Sequence, residues 1–148
     1  MSEKKRHKVF IEGAISPAFI ADSIAMHSTK TNIGAHAIFL GQVRNDMIDG
    51  KRVREIDYSA YVEMAEEKMH EIREMVFGKF KITCMHIHHS LGVVKTGEIS
   101  LFVFVSSEHR AGAFDACRWI VDEIKAEVPI WGKEIFEDET YSWKANSK

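Results

Sequence analysis

A nine-residue segment at positions 98–106, EISLFVFVS, restricts the fold of this chain more than any other feature. Successive side chains of a strand point to opposite faces, and here the side chains of both faces are apolar. Such a strand is stable only where both of its faces are covered. We therefore expect residues 98–106 to form a strand that is buried inside a sheet.

The segment that follows has the pattern of an amphipathic helix. Polar residues occupy one face, and apolar residues recur on the other at three- and four-residue spacing, namely Ala113, Cys117, Ile120, Val121 and Ile124. Ser106 and Ser107 are candidate N-caps, and Pro129 prevents the helix from continuing. The sequence predicts a helix over about 108–127 with one face in the core.

The rest of the chain alternates strands and helices without a linker, a low-complexity tract or an obvious repeat. Strands are predicted at 8–12, 34–43, 53–61 and 80–89, with a last short strand within 133–143. Residues 34–43 are apolar on both faces and rich in small residues, which is typical of a central strand. Residues 44–50 are polar and predict a mobile loop or a wide hairpin.

Two further helices are predicted. Ser16 supplies an N-cap before a proline, and the helix that starts there would turn four side chains inward, those of Phe19, Ile20, Ile24 and His27. A second helix is expected to end at Gly78 and carries an apolar stripe of Met64, Ala65, Met69, Ile72, Met75 and Val76. The resulting order, β-α-β-β-α-β-β-α-β, favours an α+β fold with a mostly antiparallel sheet over repeated parallel crossovers.

Length and charge limit the partners of the chain. A chain of 148 residues with 45% apolar content can bury one good core, so we expect a single domain over 1–148 with flexible ends at 1–7 and 144–148. A net charge of −2 gives no reason to expect nucleic acid or an acidic membrane surface as a partner. Any anion-binding site must therefore be local.

The two cysteines, Cys84 and Cys117, lie in apolar-patterned segments, and neither has a second cysteine at metal-ligand spacing. Burial is therefore favoured over a nucleophilic or disulfide role. The charged start MSEKKRHK is not followed by an apolar run of about 18 residues, so neither a secretory leader nor a membrane span is expected. A reduced, cytoplasmic protein fits this pattern best.

Three histidines on one predicted strand, His86, His88 and His89, raise the alternative of a metal site, because His86 and His88 point to the same side. The sequence has no accompanying cysteine or carboxylate pattern of a known zinc type. A histidine on a half-buried strand is more often a hydrogen-bonded packing residue. No metal site is therefore predicted.

Cations at the ends of apolar elements are the remaining candidates for chemistry, namely Arg44, His109, Arg110, Lys125 and Lys133. Each alone is explained as a solvated side chain. Together they could converge on one pocket that binds phosphate or carboxylate oxygens. A lysine held beside Trp131 in a partly dry site could also act as acid, base or nucleophile. The residues alone predict an anion-binding pocket that could be enzymatic.

Five ordered segments resemble the large, catalytic subunit of molybdopterin synthase, and the resemblance spans about residues 8–143. They are GAHAIFLGQVR (34–44), YSAYVEMAEEKM (58–69), HSLGVVKTGE (89–98), SSEHRAGAFDACRWIVDEIK (106–125) and PIWGKE (129–134). Several separated motifs in register are far more specific than one short pattern.

The resemblance implies an α/β hammerhead fold that forms a homodimer, with each subunit binding a small ubiquitin-like sulfur carrier to give a heterotetramer. The carrier ends in Gly-Gly, activated as a thiocarboxylate, and donates sulfur to cyclic pyranopterin monophosphate. Two such transfers build the dithiolene of molybdopterin in molybdenum cofactor biosynthesis. The large subunit is implied to supply no sulfur and to need no metal or other cofactor.

The resemblance also implies roles for individual residues. Lys125 matches the family's essential lysine near the incoming carrier terminus, where it would position or polarise the thiocarboxylate and assist proton transfer. Arg44, His109 and Arg110 match residues that bind the phosphate and pterin of the precursor.

Phe39 and Glu134 match positions that shape the pocket, whereas the family's second catalytic lysine has no direct match. Many members carry it directly after the tryptophan, where this chain has Gly132 followed by Lys133. Gly132 could adopt a positive φ and turn Lys133 into the pocket. Alternatively, Lys133 points to solvent and Lys125 acts alone.

Two functional hypotheses stay open at this point. The first is an active sulfur transferase with Lys125 and Lys133 as catalytic residues. The second is a non-catalytic homologue that binds the ubiquitin-like carrier through its C-terminal tail, and Gly132 in place of lysine motivates it.

Overall fold

The computed structural model describes residues 8–145, and its elements confirm the predicted α+β class. The helices are α1 (Pro17–Met26), α2 (Val62–Lys79) and α3 (Arg110–Glu127). The strands are β1 (Phe10–Glu12), β2 (Ala35–Gln42), β3 (Met47–Ile48), β4 (Lys51–Ala60), β5 (Cys84–Lys95), β6 (Ile99–Ser107), β7 (Ile130–Phe136) and β8 (Tyr141–Trp143). Among these residues, none of the helices has the combination of length and hydropathy that spanning a membrane requires. The predicted flexible ends at 1–7 and 146–148 lie outside the described residues.

The strands form a sheet in the order β2-β6-β5-β4-β7-β8, with β1 paired to β5 and β3 paired to β4. β1 runs parallel to β5, and the other pairings of these strands are antiparallel. The prediction of a mostly antiparallel sheet is confirmed.

β6 is the internal strand that the sequence predicts, and all of its residues after Ile99 are buried. Val103 and Val105 belong to the core that α2 and α3 cover, whereas Phe102 and Phe104 pack with residues of α1 on the opposite face. The molecule therefore has three layers, with α1 on one face of the sheet and α2 and α3 on the other.

The prediction of a central strand at 34–43 is wrong, because β2 is the outermost strand beside β6. Ala37 faces the core, but Ile38 and Leu40 on the other face are 38% and 42% exposed. The small residues instead allow neighbouring backbone to come close to this segment. A Cβ at Gly34, for example, would overlap the carbonyl oxygen of Glu108. An outer strand with exposed apolar side chains is suited to pairing with another strand.

α1 begins as predicted, because Ser16 Oγ accepts a hydrogen bond from the Phe19 amide at 3.1 Å and a proline follows the cap. Ile20 and His27 are buried, but Ile24 is 41% exposed, so its predicted inward position is wrong. Ile20 and His27 are seven residues apart, which is almost two full turns, so they lie nearly in line on the buried face of the helix. Ile24 lies at the edge of that face.

α2 continues one residue past Gly78, the predicted end, and the Phe80 amide then donates to the carbonyl of Val76 at 2.9 Å. Met64 and Met75 flank the apolar stripe and are 56% and 47% exposed. The buried stripe is therefore narrower than predicted and consists of Ala65, Met69, Ile72 and Val76.

α3 ends at Glu127 as predicted, but His109 rather than Ser106 or Ser107 occupies its N-cap position. The Ser107 hydroxyl instead donates to the carbonyl of Lys81 at 2.9 Å and accepts from the His109 amide at 3.4 Å. The predicted inner face of α3 is buried in the core.

Two hairpins complete the sheet. Asp49 and Gly50 have φ values of 50° and 76°, as a two-residue turn between β3 and β4 requires. The hairpin alternative for 44–50 is therefore confirmed, but the hairpin is tight rather than wide. Residues 130–143 form the hairpin β7-β8 rather than one short strand. Lys144 falls within the predicted flexible end, yet its amide donates to the carbonyl of Gly132 at 2.8 Å.

Candidate active site

A cavity of about 380 Å³ opens where the C-terminal end of α3 and its turn into β7 meet the strands. Residues 124–132 and Lys144 contribute to its lining, together with six strand residues, Gly41, Gln42, Tyr58, His89, Ser100 and Leu101. This volume is large enough for a small-molecule ligand. We call it the Lys125 cavity.

Lys125 is the predicted cation that lies in this cavity, in the last turn of α3. Partial burial lowers its pKa, and the charges of Lys144 and Arg44 lower it further. Its ammonium group therefore releases a proton more readily than that of an ordinary lysine. Such a group can hold an anion and can also donate a proton during a reaction.

Arg44 and Lys144 make the surroundings of the cavity positive, since the charge of each acts on Lys125. Arg44 follows β2 and forms an exposed ion pair with Asp46 at 3.2 Å. Lys144 was not predicted as a site residue, because it follows the last strand and no sequence pattern marks it. Three cations around one cavity favour an anionic ligand.

Two strand residues also line the cavity, the buried His89 and the half-buried Tyr58. His89 Nδ1 lies 2.8 Å from the carbonyl oxygen of Ser90, which can only accept, so Nδ1 carries the proton of the neutral ring. Burial raises the pKa of Tyr58, whose hydroxyl donates to Ser100 Oγ at 3.2 Å. The sequence did not place either residue in the pocket, because their position in the cavity depends on the strand order.

The stability of the fold should fall as the pH drops from about 6.5 towards 4, because burial, reinforced by the charge of Lys125, lowers the pKa of His89 to about 4. Between these values the unfolded chain binds the proton and the folded chain does not, so acid favours unfolding. The contribution of His89 to the free energy of unfolding is fully present above pH 6.5 and amounts to about 3 kcal/mol. Urea unfolding across this range should show a flatter pH dependence for His89→Gln than for the wild type. Equal slopes would rule out His89 as the titrating group.

Phe39 and Glu134, predicted to shape the pocket, are close to it without being part of its described lining. Phe39 packs against the core beneath β2, and its Cε1 lies 3.5 Å from the position of a Cβ on Gly41. Glu134 is buried on β7, and its charge contributes to the raised pKa of Tyr58. Gly41 and Tyr58, the neighbours of these two residues, both line the cavity.

Lys133 lies outside the lining of the Lys125 cavity. β7 pairs regularly with β4, so its side chains alternate, and Lys133 Nζ sits 4.8 Å from the centre of the Tyr141 ring. Gly132 does not have a positive φ, so of the two alternatives the one in which Gly132 turns Lys133 into the pocket is not adopted. The ammonium group of Lys133 instead lies over the Tyr141 ring of β8.

Gly132 is required by close packing between β7 and β4. A Cβ at this position would lie 2.9 Å from Ile56 Cγ2 and 3.4 Å from Tyr58 Cε1. We expect Gly132→Ala to lower the free energy of unfolding by about 1–3 kcal/mol. The control Gly78→Ala, where nothing lies within 4 Å, should be neutral or stabilise by up to about 1 kcal/mol. Urea unfolding tests this, and equal effects of the two substitutions would contradict it.

His109 and Arg110 lie at the opposite end of α3 from Lys125. Lys125 comes fifteen positions after Arg110 in the helix, which corresponds to about 22 Å along the axis. His109 lines a different cavity, of about 420 Å³, with neighbours that include Lys81 and Glu108. The prediction that all the cations converge on one pocket is therefore wrong within a single chain.

Known proteins match this chain in sequence. A family model described as MoaE protein matches residues 14–127. The molybdopterin synthase catalytic subunit of Pyrococcus abyssi (strain GE5 / Orsay) is 41% identical over 119 residues, which cover 80% of this chain and 79% of that protein. The subunit of the same name from Rattus norvegicus is 40% identical over 115 residues, which cover 78% of this chain but only 57% of the rat protein.

Solved structures match the fold. The crystal structure of molybdopterin synthase from Staphylococcus aureus has a TM-score of 0.81 and 30% sequence identity, covering 93% of this chain and 96% of the other. A protein-protein complex of subunits 1 and 2 of molybdopterin-converting factor from Helicobacter pylori 26695 gives a TM-score of 0.78 at 18% identity, covering 93% and 90% of the two chains.

Proposed function

This chain belongs to the molybdopterin synthase catalytic subunit family, and from that membership we propose that it is a sulfur transferase. Its substrate is cyclic pyranopterin monophosphate, and its product is molybdopterin. The sulfur comes from the C-terminal thiocarboxylate of a small ubiquitin-like carrier protein. The reaction belongs to molybdenum cofactor biosynthesis.

The observation that carries this proposal is the position of Lys125. It lies in a cavity of suitable size, its pKa is lowered, and Arg44 and Lys144 add positive charge beside it. A thiocarboxylate and a phosphate-bearing pterin are both anions and repel each other in water. A cationic, partly dry cavity can hold them together and stabilise charge that develops as sulfur is transferred.

Lys125 has two roles in this proposal. As an ammonium group it orients and polarises the thiocarboxylate of the carrier. Its lowered pKa lets it donate a proton at the reacting centre and recover that proton from solvent. Tyr58 and His89 hold the buried side of the cavity in shape, and the neutral His89 ring adds no further positive charge.

The homodimer that the family resemblance implies has a suitable surface in β2. Ile38 and Leu40 are exposed on this outer strand. A twofold axis at its edge would pair two β2 strands antiparallel and would cover the exposed apolar side chains. The Gln42 end of one copy would then lie beside the Ala35 end of the other.

Such a dimer would complete the site. The amide of Gly34 donates to the carbonyl of Ser107 at 3.0 Å, so the start of α3 lies next to the start of β2. An antiparallel pair of β2 strands would carry the His109 and Arg110 of one copy towards the Lys125 cavity of the other. The precursor would be bound by residues of both copies, and each copy would also bind one carrier to give a heterotetramer.

The remaining parts of the proposal concern the chain as a whole. It is one domain that acts in the cytoplasm, where the buried thiols of Cys84 and Cys117 would stay reduced. The sulfur comes from the carrier, so neither thiol takes part in the reaction, and the transfer itself uses no metal or other cofactor.

A second candidate is a homologue that binds the carrier without catalysis, and the placement of Lys133 favours it. Gly132 stands where relatives carry a catalytic lysine in the family pattern, and Lys133 Nζ lies over the Tyr141 ring. In this alternative the cavity captures the carrier tail, but the precursor is not converted.

Reconstitution separates the two candidates. The purified chain is mixed with thiocarboxylated carrier and pyranopterin precursor, and the dithiolene product is followed as a fluorescent pterin after oxidation. The transferase forms product and consumes carrier thiocarboxylate. Carrier binding without product would overturn the transferase proposal in favour of the binding module.

A further inference from the structure

A cluster of metal-binding side chains lies on the face of the sheet that α1 covers. Cys84 and His86 are two residues apart on β5 and therefore point to the same face. His27 is the C-cap residue of α1, which covers this face, and its side chain lies beside those of Cys84 and His86. One ligand atom from each of the three residues lies within 4.8 Å of the others.

The geometry of the cluster suits a tetrahedral ion. His27 Nε2 and His86 Nε2 are 3.0 Å apart. Two nitrogen ligands at zinc-to-nitrogen distances of about 2.0–2.1 Å are separated by about 3.3 Å in a tetrahedral site. An ion therefore fits between the two rings with a small movement of either one. The Cys84 sulfur supplies a third, softer ligand.

The neighbours of the cluster support metal binding. His27 Nδ1 lies 2.7 Å from the carbonyl oxygen of Ser23, so Nδ1 is the donor and Nε2 presents its lone pair to the cluster. This is the outer hydrogen bond that metal-binding histidines use to fix their orientation. Lys30 Nζ lies 3.5 Å from Cys84 Sγ, where its charge would compensate a bound thiolate.

We propose that His27, Cys84 and His86 form a binding site for one divalent transition-metal ion of the zinc type. Two imidazoles and a thiolate favour zinc over magnesium or calcium, which prefer oxygen ligands. A water molecule occupies the fourth position. The ion ties the C-terminal end of α1 to β5 and so fixes one outer layer of the fold.

The site is separate from the proposed sulfur transfer. The Lys125 cavity includes the end of α3, which covers the opposite face of the sheet. Metal binding at this site is therefore independent of the proposed reaction. Without an ion, the same contact is a hydrogen bond from His86 Nε2 to His27 Nε2, and this is the alternative that the experiment must exclude.

The experiment uses the full-length chain, dialysed against a chelator and titrated with Co²⁺ alone. We expect one cobalt ion per chain, a cysteinate-to-cobalt charge-transfer band in the near ultraviolet, and displacement of the cobalt by Zn²⁺. Cys84→Ser should remove the band and weaken binding at least about 100-fold. Cys117→Ser is the matched control, because Cys117 is the other cysteine and lies on the buried face of α3. This variant should keep the charge-transfer band and the affinity for cobalt.

Several results would overturn the proposal. They are an absence of bound cobalt in the wild type, cobalt bound without the charge-transfer band, and a band that persists in Cys84→Ser. Should Cys84→Ser fail to fold by circular dichroism, His86→Gln replaces it, since that variant keeps the thiol and loses one nitrogen ligand. Zn²⁺ should also raise the Tm of the wild type, and an unchanged Tm counts against the site.

Discussion

Lys125→Ala is expected to reduce molybdopterin formation by about 10²–10⁴-fold, which is the range for loss of a positioned proton donor. The substitution removes the cation inside the cavity and leaves its other lining in place. Because Lys125 lies in the last turn of α3 and belongs to none of the buried clusters, the fold should remain intact. Reconstituted turnover, measured beside circular dichroism and carrier binding, separates a chemical defect from a structural one.

Two variants serve as controls for this result. Lys125→Arg keeps the positive charge but cannot release a proton, so it should retain precursor binding while kcat stays low. Lys133→Ala removes a lysine of the same type from outside the cavity lining and should keep most of the activity. Full activity of Lys125→Ala would refute the catalytic assignment. Loss of activity in Lys133→Ala but not in Lys125→Ala would show that Lys133, rather than Lys125, is the catalytic lysine.

Two inactive variants should restore activity when they are mixed, provided that each site combines residues from two copies. Lys125→Ala and Arg110→Ala alter opposite ends of α3 and are each expected to be nearly inactive. In a mixed dimer, one site carries both defects and the other carries neither. Random mixing makes half of the dimers mixed, so about a quarter of the wild-type activity should return.

The matched control mixes Lys125→Ala with Arg44→Ala. The charge of Arg44 acts on Lys125 of the same chain, so both residues belong to the same site. Each site of that mixed dimer therefore carries one of the two defects, and no activity should return. Native mass spectrometry establishes that mixed dimers have formed. Recovery in the control, or no recovery with Arg110→Ala although mixed dimers are present, would contradict a site shared between copies.

Local patterns allowed much of the fold to be predicted. The apolar run of β6, the cap of α1 at Ser16 and the end of α3 before Pro129 depend on neighbouring residues only. The order of the strands depends on distant residues, and an apolar strand at the edge of a sheet can have the same pattern as one in the middle. The position of β2 was therefore mistaken.

The candidate site was predictable only in part. The place of Lys125 at the end of an amphipathic helix followed from the sequence, whereas Tyr58, His89 and Lys144 join the cavity through strand pairing. The separation of Arg110 from Lys125 was implicit in the helix itself, since a helix of this length holds its two ends far apart.

The metal cluster was missed for the same reason. His27 and His86 are 59 residues apart, and only the packing of α1 on β5 brings them together. The sequence showed the histidines of one strand, but it did not show that Cys84 and His27 would meet them.

The central claim, that this chain transfers sulfur from a carrier to a pterin, is tested most directly with isotopically labelled carrier. Thiocarboxylate prepared with heavy sulfur is incubated with the wild-type chain and the precursor, and the product is analysed by mass spectrometry. We predict that both dithiolene sulfur atoms carry the label and that two carriers are consumed for each product. Bound carrier without labelled product, or product with unlabelled sulfur, would contradict the claim.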